Sequence, residues 1–247
     1  MTQNIFIFEN LQALSRAAAE KFVLIGRKAI EQNNRFTIAL SGGSTPKLLF
    51  QTLASDEFRS QLDWTKTFFF FGDERIVPFD STESNYRMAR ENLFEPLQIK
   101  PENVRRWQTE FAPEAAAEDY ENQLKDFFAL KNDAIPRFDL ILLGMGADGH
   151  TASLFPETLA LSETEKLAIA NWVEKLDSFR LTFTFPLINK AENILFLIGG
   201  AEKAETVKIV LKGEFEPHKF PAQAVEPDNG NLFYFLDKDA AKAIKNN

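Results

Sequence analysis

The chain alternates short apolar segments with longer amphipathic ones, and this alternation limits the folds open to it more than any other feature. The short segments are rich in Phe, Ile and Leu and too short for most helices, which predicts strands. The predicted strands are Ile5–Phe8, Phe36–Leu40, Thr67–Phe71, Phe138–Leu143, Leu181–Phe185, Ile194–Ile198 and Leu232–Leu236. The predicted helices are Leu11–Gln32, Pro46–Leu53, Glu83–Phe94, Pro113–Leu130, Lys203–Leu211 and Lys238–Lys245. This order predicts an α/β fold with a mainly parallel sheet and helices on both faces.

The length and the even composition of the chain predict one domain. A single hydrophobic core grows to roughly 250 residues before chains tend to divide, and this chain has 247 residues. It contains no repeat period, no low-complexity segment and no long Gly/Ser linker. We therefore expect residues 1–247 to form a single α/β domain.

Charge and cysteine content disfavour several functional classes. The formal net charge of −8, from 28 Lys and Arg against 36 Asp and Glu, disfavours nucleic-acid or anionic-membrane binding, because both attract basic surfaces. The absence of cysteine excludes disulfides, thiolate metal sites and cysteine nucleophiles. With two histidines and no metal-binding spacing, no metal site is predicted. Met1–Asn10 lacks the features of a signal peptide, and no apolar run reaches the ~18 residues of a membrane span, so a cytoplasmic protein is expected.

A glycine-rich loop follows the second predicted strand. Gly42 and Gly43 allow backbone N–H groups to approach an anion, Ser44 or Thr45 can cap the next helix, and Pro46 suits its first position. This pattern is typical of a phosphate-binding loop, although an ordinary strand-to-helix turn uses the same residues. It lacks Walker A spacing, and Pro46 replaces the last glycine of a nucleophile elbow, which disfavours a serine hydrolase.

Three charged residues follow the most apolar predicted strand. Asp73, Glu74 and Arg75 come directly after Gly72. Arg75 can bind a phosphate or a developing oxyanion, and Asp73 can orient a group or transfer a proton. The structural alternative is an arginine–carboxylate pair that fastens the loop.

A third loop, Gly144–His150, formally contains the Gly-x-Gly-x-x-Gly pattern. Asp148 would place a carboxylate in the turn meant for a pyrophosphate, and Pro156 limits any helix that begins here, so a dinucleotide site is disfavoured. An exposed His150 beside Asp148 can act as a general base near neutral pH, although a purely structural histidine is the alternative. The other histidine, His218, is interpreted as structural.

The fourth loop repeats the strand–Gly–Gly–helix arrangement and presents Lys203 near a helix start. Arg180 lies just before the predicted strand Leu181–Phe185. Surface solvation is the default for any single Lys or Arg. An acidic protein that binds an anion must nevertheless concentrate positive charge locally, and Arg75, Arg180 and Lys203 are placed to supply it.

These segments together resemble the glucosamine-6-phosphate isomerase/6-phosphogluconolactonase family, in the family's order and over nearly the whole chain. The resembling segments are Leu40–Pro46, Gly72–Arg75, Val77–Pro78, Ser84–Tyr86, Gly144–Pro156, Arg180–Thr182, Pro186–Asn189, Gly199–Ala204, Pro221–Val225 and Leu236–Asp237. Deaminase members typically have tyrosine where this chain has Arg75. That difference and the segment Ala152–Pro156 resemble the lactonase branch.

The resemblance implies a Rossmann-like fold and a reaction. The reaction is hydrolysis of 6-phospho-D-glucono-1,5-lactone to 6-phosphogluconate, the second step of the oxidative pentose phosphate pathway, with no cofactor. It implies that His150 activates water, that Asp148 orients His150, that Arg75 serves the oxyanion or the phosphate, and that Asp73 positions Arg75 or substrate hydroxyls. The residues implied in substrate and phosphate binding are Gly42, Gly43, Ser44, Thr45, Asn85, Arg180 and Lys203.

Alternatives to a lactonase remain open on the sequence alone. They are a deaminase-like sugar-phosphate isomerase, a non-catalytic sugar-phosphate-binding protein and a nicotinamide-dependent dehydrogenase. For the lactonase, the expected partner is a small phosphosugar lactone, with neither nucleic acid nor membrane involved. The sequence does not distinguish a monomer from a homodimer.

Overall fold

The computed structural model describes residues 4–131 and 134–244. Its strands are β1 (Asn4–Phe8), β2 (Phe36–Leu40), β3 (Thr67–Phe71), β4 (Asp73–Arg75), β5 (Leu140–Leu143), β6 (Ala168–Val173), β7 (Ser178–Phe183), β8 (Asn193–Ile198) and β9 (Asn231–Asp237). Its α-helices are α1 (Leu11–Asn33), α2 (Ser44–Leu53), α3 (Asn85–Ala89), α4 (Glu95–Leu97), α5 (Pro113–Phe128), α6 (Phe185–Ile188) and α7 (Ala204–Lys212). Across these two ranges, no helix is long and apolar enough to cross a bilayer.

Six strands form a wholly parallel sheet in the order β1-β9-β8-β5-β2-β3. Every residue of β2, β5 and β8 is buried. Strands covered by helices on both faces need a mostly apolar sequence, and these three have it, with Thr37 and Asn193 as the buried polar exceptions. The predicted mainly parallel α/β sheet is confirmed.

The aromatic run in β3 illustrates how this core is packed. Phe69, Phe70 and Phe71 are at most 1% exposed. The ring of Phe70 meets that of Phe138 edge-on at 5.1 Å, and Phe69 meets Phe94 at the same distance with a 57° tilt. Each buried phenylalanine contributes about 1.5–3 kcal/mol relative to an exposed one. The run therefore fastens one edge of the sheet to the structure around it.

A second sheet, of three antiparallel strands, was not predicted. Its order is β4-β7-β6. The predicted strand Leu181–Phe185 is wrong in its bounds, because β7 spans Ser178–Phe183, and β7 pairs antiparallel with both neighbours. The two other strands escaped notice because β4 consists of three charged residues and β6 carries a mixed sequence, without the apolar run on which the prediction relied.

Two predicted helices differ from the structure. The predicted helix Glu83–Phe94 divides into α3 and a π-helical turn at Arg90–Phe94. The predicted helix Lys238–Lys245 is wrong over residues 238–244, which form hydrogen-bonded turns, and Lys245 lies outside the described residues. The carboxylate of Asp237 accepts a hydrogen bond from the backbone N–H of Ala240 at 2.8 Å. Such local side-chain bonds compete with helix formation.

Candidate active site

The four loops singled out in the sequence converge at one edge of the parallel sheet. They follow β8, β5, β2 and β3, which are four consecutive neighbours in that sheet. Because the strands are parallel, their carboxyl ends lie on the same side, where ligands bind in open α/β sheets. The topology therefore brings together residues that are as much as 162 positions apart, such as Ser41 and Lys203.

A cavity of about 240 Å³ opens where these loops meet. Residues from all four loops line it: Ser41, Gly42, Gly43, Ser44, Thr45, Pro46, Asp73, Arg75, Gly144, Met145, Gly146, His150, Ala152, Leu197 and Lys203. Eight of the eleven predicted site residues are in this lining. Asp148, Asn85 and Arg180 are not in this lining.

The glycine-rich loop ends in an exposed helix N-terminus. Helix α2 begins at Ser44, and Gly43 precedes it with a φ of 102°, a conformation that favours glycine. The predicted cap at Ser44 or Thr45 is wrong, because no side chain caps this helix. Pro46 at the first helical position is also wrong, because the helix begins at Ser44 and Pro46 is its third residue. The backbone N–H groups of the first turn, and the positive end of the helix dipole, are therefore available to an anion.

His150 and Asp148 form a hydrogen-bonded pair on the loop after β5. Nδ1 of His150 lies 2.5 Å from Oδ1 of Asp148, and the backbone N–H of His150 donates to the same oxygen at 3.2 Å. Partial burial opposes ionisation of Asp148, but hydrogen bonds from His150 and Lys175 outweigh it and hold its pKa well below the usual value. An ionised carboxylate only accepts hydrogen bonds, so Nδ1 carries the proton and Nε2 is left as the basic nitrogen.

The backbone and an aromatic ring hold His150 in place. Its ring stacks on Phe155 at 4.1 Å with a 26° tilt. The backbone N–H of Gly146 donates to the carbonyl oxygen of His150 at 2.9 Å. Thr206, on α7, donates to the carbonyl oxygen of Ala147 at 2.6 Å and so ties the loop to a neighbouring helix. The imidazole therefore has little freedom to turn away from the cavity.

Asp73 reaches the cavity from β4 and is held by two neighbours. Ser153 donates to its Oδ2 at 2.8 Å. The amide of Asn85 donates to the backbone oxygen of Asp73 at 3.0 Å and to its Oδ1 at 3.3 Å. Asn85 was predicted to bind substrate, and the structure places its amide against Asp73, behind the lining. Ser153 was not predicted as a site residue, because nothing in its sequence context separates it from an ordinary loop serine.

Glu74 is a second residue whose importance the sequence did not reveal. It is 2% exposed, and its carboxylate accepts backbone N–H groups from Arg75, Asn85 and Tyr86 at 2.8, 2.8 and 2.9 Å. Burial raises the pKa of this carboxyl against the opposing effect of those bonds. Glu74 thus fastens the start of α3 to β4.

Arg75 does not take part in the predicted loop-fastening pair. Its Nη1 donates to the carbonyl oxygen of Glu83 at 2.5 Å, and within the described ranges its guanidinium forms no ion pair with a carboxylate. The alternative of an arginine–carboxylate pair is wrong, because Glu74 binds backbone amides instead. Arg75 keeps its charge available at the cavity.

We expect Glu74→Gln to destabilise the protein by about 1–3 kcal/mol, because the amide nitrogen would face donors where the carboxylate accepts. The measurement is urea unfolding at neutral pH. Glu83→Gln is the matched control, since Glu83 is exposed and should change stability little. Equal stability of the two variants would contradict this role of Glu74.

Arg180 lies beside Arg75 rather than in the cavity. The two residues are cross-strand partners in the β4–β7 ladder. Burial, together with the nearby charge of Arg75, lowers the pKa of Arg180. Its Nη1 donates to Oγ of Ser178 at 2.5 Å. Arg180 therefore adds positive potential behind Arg75.

Lys203 supplies the second positive charge in the lining. It ends the short 3₁₀ helix Ala201–Lys203, directly before α7. Partial burial lowers the pKa of its ammonium group, against the opposing charges of Glu202 and Asp237. A half-buried cation facing a cavity is well suited to an anionic ligand.

The described residues contain no group of three or more His, Asp or Glu side chains arranged to hold a metal ion. The charged and titratable groups of the lining are one imidazole, one carboxylate and two cations, and they lie beside a free helix N-terminus. This combination can bind an anion and transfer a proton within the same cavity.

Comparison with known proteins identifies the family. The model described as glucosamine-6-phosphate isomerases/6-phosphogluconolactonase matches residues 9–234. The chain belongs to this family. The 6-phosphogluconolactonase of Synechocystis sp. is 40% identical over 246 residues, covering 99% of this chain and 100% of the relative. Human 6-phosphogluconolactonase is 37% identical over 249 residues, covering 97% and 93%.

Solved structures of family members agree with this assignment. The 6-phosphogluconolactonase of Trypanosoma brucei has a TM-score of 0.86 at 34% identity and covers 98% of both chains. A monomeric glucosamine-6-phosphate deaminase has a TM-score of 0.79 at 23% identity, covering 97% of this chain and 99% of that one. At that identity the deaminase shows a shared fold only. The predicted family and Rossmann-like fold are confirmed.

Proposed function

We propose that this protein is a 6-phosphogluconolactonase, which hydrolyses 6-phospho-D-glucono-1,5-lactone to 6-phosphogluconate in the oxidative pentose phosphate pathway. The observation that carries the proposal is that His150, which is paired with Asp148, shares one cavity with Arg75, Lys203 and the free N-terminus of α2. Relatives that cover nearly the whole chain carry the same name. The presence of Arg75, where deaminase members typically have tyrosine, favours the lactonase reaction within the family.

His150 is the proposed general base and then the general acid. Nε2 takes a proton from water while the water oxygen attacks the lactone carbonyl carbon. The tetrahedral intermediate collapses with cleavage of the bond between that carbon and the ring oxygen. Nε2 returns the proton to the departing ring oxygen, which becomes a hydroxyl. The cycle adds one water molecule, restores neutral His150 and requires no cofactor.

The remaining polar residues bind and position the substrate. The N–H groups at the start of α2, with Gly42, Gly43, Ser44 and Thr45, are the proposed phosphate site, and Lys203 adds its charge. Arg75 binds either the phosphate or the developing oxyanion. The kinetics of an Arg75 variant distinguish the two roles, because loss of a phosphate contact raises KM, whereas loss of an oxyanion contact lowers kcat.

Four further residues support the groups that contact the substrate. Asp148 orients His150, and Asp73 positions Arg75 or substrate hydroxyls. Asn85 holds Asp73, and we assign it to that role rather than to direct substrate binding. Arg180 contributes positive potential through its position beside Arg75.

The decisive experiment is a lactonase assay on lactone formed in situ, with acid release followed against an enzyme-free blank. The blank is necessary because the lactone also opens spontaneously. Acceleration by the folded protein supports the proposal. Ammonia release from glucosamine 6-phosphate without lactone hydrolysis would instead establish a deaminase, and binding of 6-phosphogluconate without turnover would establish a non-catalytic binding protein.

Lys203→Ala should chiefly raise KM and leave kcat near the wild-type value. A phosphate contact contributes equally in the ground state and the transition state, so its loss weakens binding without slowing the chemical step. The measurement is steady-state kinetics with the lactone. Lys208→Ala, at an exposed position of α7, is the matched control, and an unchanged KM in Lys203→Ala would remove Lys203 from the phosphate site.

The proposed catalytic unit is the whole chain as one domain, because the family match extends over residues 9–234. The absence of cysteine is in keeping with the reducing cytoplasm, which we propose as the site of the reaction. The proposed partner is the small phosphosugar lactone. The acidic net charge of −8 gives no support to nucleic acid or membrane partners.

A further inference from the structure

Lys175 contacts both groups that support His150. It lies in the turn between β6 and β7, outside all four loops of the cavity. Its Nζ pairs with Oδ2 of Asp148. The same Nζ lies 4.7 Å from the ring centroid of Phe155, the aromatic side chain on which His150 stacks. One lysine from the small sheet therefore contacts the two side chains that hold the imidazole.

The two oxygens of Asp148 have separate partners. Oδ1 accepts from the ring and backbone of His150, and Oδ2 accepts from Lys175. Rotation of the carboxylate would break contacts on both sides, so Lys175 fixes the plane in which Oδ1 faces the imidazole. The cation also stabilises the ionised carboxylate, which must accept a hydrogen bond from Nδ1–H if Nε2 is to act as the base.

The turn that carries Lys175 is itself held firmly. Asp177 has a φ of 45°, so the turn closes through a left-handed residue. Trp172 and Phe179 are cross-strand partners next to it, and their rings meet edge-on at 5.0 Å. A lysine on a closed hairpin turn loses less conformational entropy when it forms an ion pair than one on a free chain end.

We infer that Lys175 is a positioning residue for the reaction, which holds Asp148 and Phe155 so that His150 presents Nε2 to the substrate cavity. Stability does not account for this contact, because the side chain of Lys175 is 51% exposed and exposed ion pairs contribute little to folding. Lys175 is not in the lining of the 240 Å³ cavity, and the role that we assign to it acts through Asp148 and Phe155. This inference rests on the proposed lactonase function.

The first test compares Lys175→Met with Lys175→Arg and with Lys190→Met. Lys190 is the matched control, since its ion pair with Asp228 is similarly exposed and outside the site. We expect Lys175→Met to lower kcat about tenfold, because small displacements of a catalytic group slow the chemical step, with KM unchanged. Arginine should restore most of the activity, and Lys190→Met should match wild type. Equal kcat in all three variants would overturn the inference.

A double-mutant cycle with Asp148→Asn separates positioning from a general effect. If Lys175 acts through Asp148, then Lys175→Met should lower kcat in the wild-type background and have little further effect beside Asp148→Asn. Fully additive losses, or a loss of kcat that follows a lower melting temperature, would overturn the inference in favour of a structural role.

A spectroscopic test does not depend on lactonase activity. The chain has two histidines, so ¹⁵N NMR of a His218→Ala background reports His150 alone. In its neutral form the ring should carry its proton on Nδ1, and Lys175→Met should introduce the other tautomer. An unchanged tautomer would overturn the inference even if the protein is a lactonase. If the protein has no lactonase activity but Lys175→Met still alters the tautomer of His150, the missing activity would count against the proposed function. The altered tautomer would still support the positioning role of Lys175.

Discussion

His150→Ala is expected to lower kcat by about 10²–10⁴, the usual contribution of a general acid–base group, while the protein stays folded. The structure gives this residue its place: it lies in the cavity lining, and Oδ1 of Asp148 accepts a hydrogen bond from Nδ1–H at 2.5 Å. The substitution removes the only imidazole in the lining. The measurement is steady-state lactone hydrolysis, corrected for spontaneous opening.

The matched control is His218→Ala, at the other histidine of the chain. His218 is exposed and lies in a turn outside the cavity, so this variant should keep wild-type kcat and KM. Near-normal turnover by folded His150→Ala would remove His150 from the mechanism. Loss of turnover in both variants together would point to a structural effect instead of general base catalysis.

Gly146→Ala is expected to reduce kcat by about 10², although it changes no polar group, because a displacement of about 1 Å in a reacting group can cost that much. A Cβ at this position would lie 2.2 Å from Nδ1 and Cε1 of His150 and 2.7 Å from Oδ1 of Asp148. Those distances are far below van der Waals contact, so the imidazole must shift. Lactone hydrolysis and a crystal structure of the variant are the two measurements.

Gly72→Ala is the corresponding control for this prediction. Its Cβ would meet the carbonyl oxygen of Leu40 at 3.6 Å, an ordinary contact, although Gly72 directly precedes Asp73 at the site. We expect at most a small loss of activity there. Normal kcat in Gly146→Ala would show that the His150 loop can absorb the extra methyl group without moving the base.

The sequence predicted structure correctly where the pattern lay within a single strand and the loop that follows it. β2 and β8 are short, mainly apolar segments, which is the pattern of strands buried on both faces. The bounds of both strands were therefore predicted to within one residue. The loops after these strands were correctly predicted to lie together, because the carboxyl ends of parallel strands meet at the same edge of the sheet. The predicted cap at Ser44 or Thr45 failed because the helix begins at Ser44, so that its N-cap residue is Gly43, which has no side chain.

Residues that act through distant partners could not be predicted in the same way. Glu74 and Ser153 look like ordinary charged and polar loop residues, and their roles depend on neighbours brought close by the second sheet and α3. The contact between Lys175 and Asp148 joins residues 27 positions apart. No periodicity or spacing rule links such pairs, because the connection runs through space and not along the chain.

The sequence by itself determined the parallel α/β fold, the family and the chemistry available at four loops, because alternating apolar strands and loop composition are local properties of the chain. The tertiary structure alone decided which side chains face the cavity, that Arg75 stays free of a carboxylate, and that Nε2 of His150 is the basic nitrogen. These features depend on the order of strands in the sheet and on contacts between separate loops. Such contacts are set by packing of the whole core, which no single segment encodes.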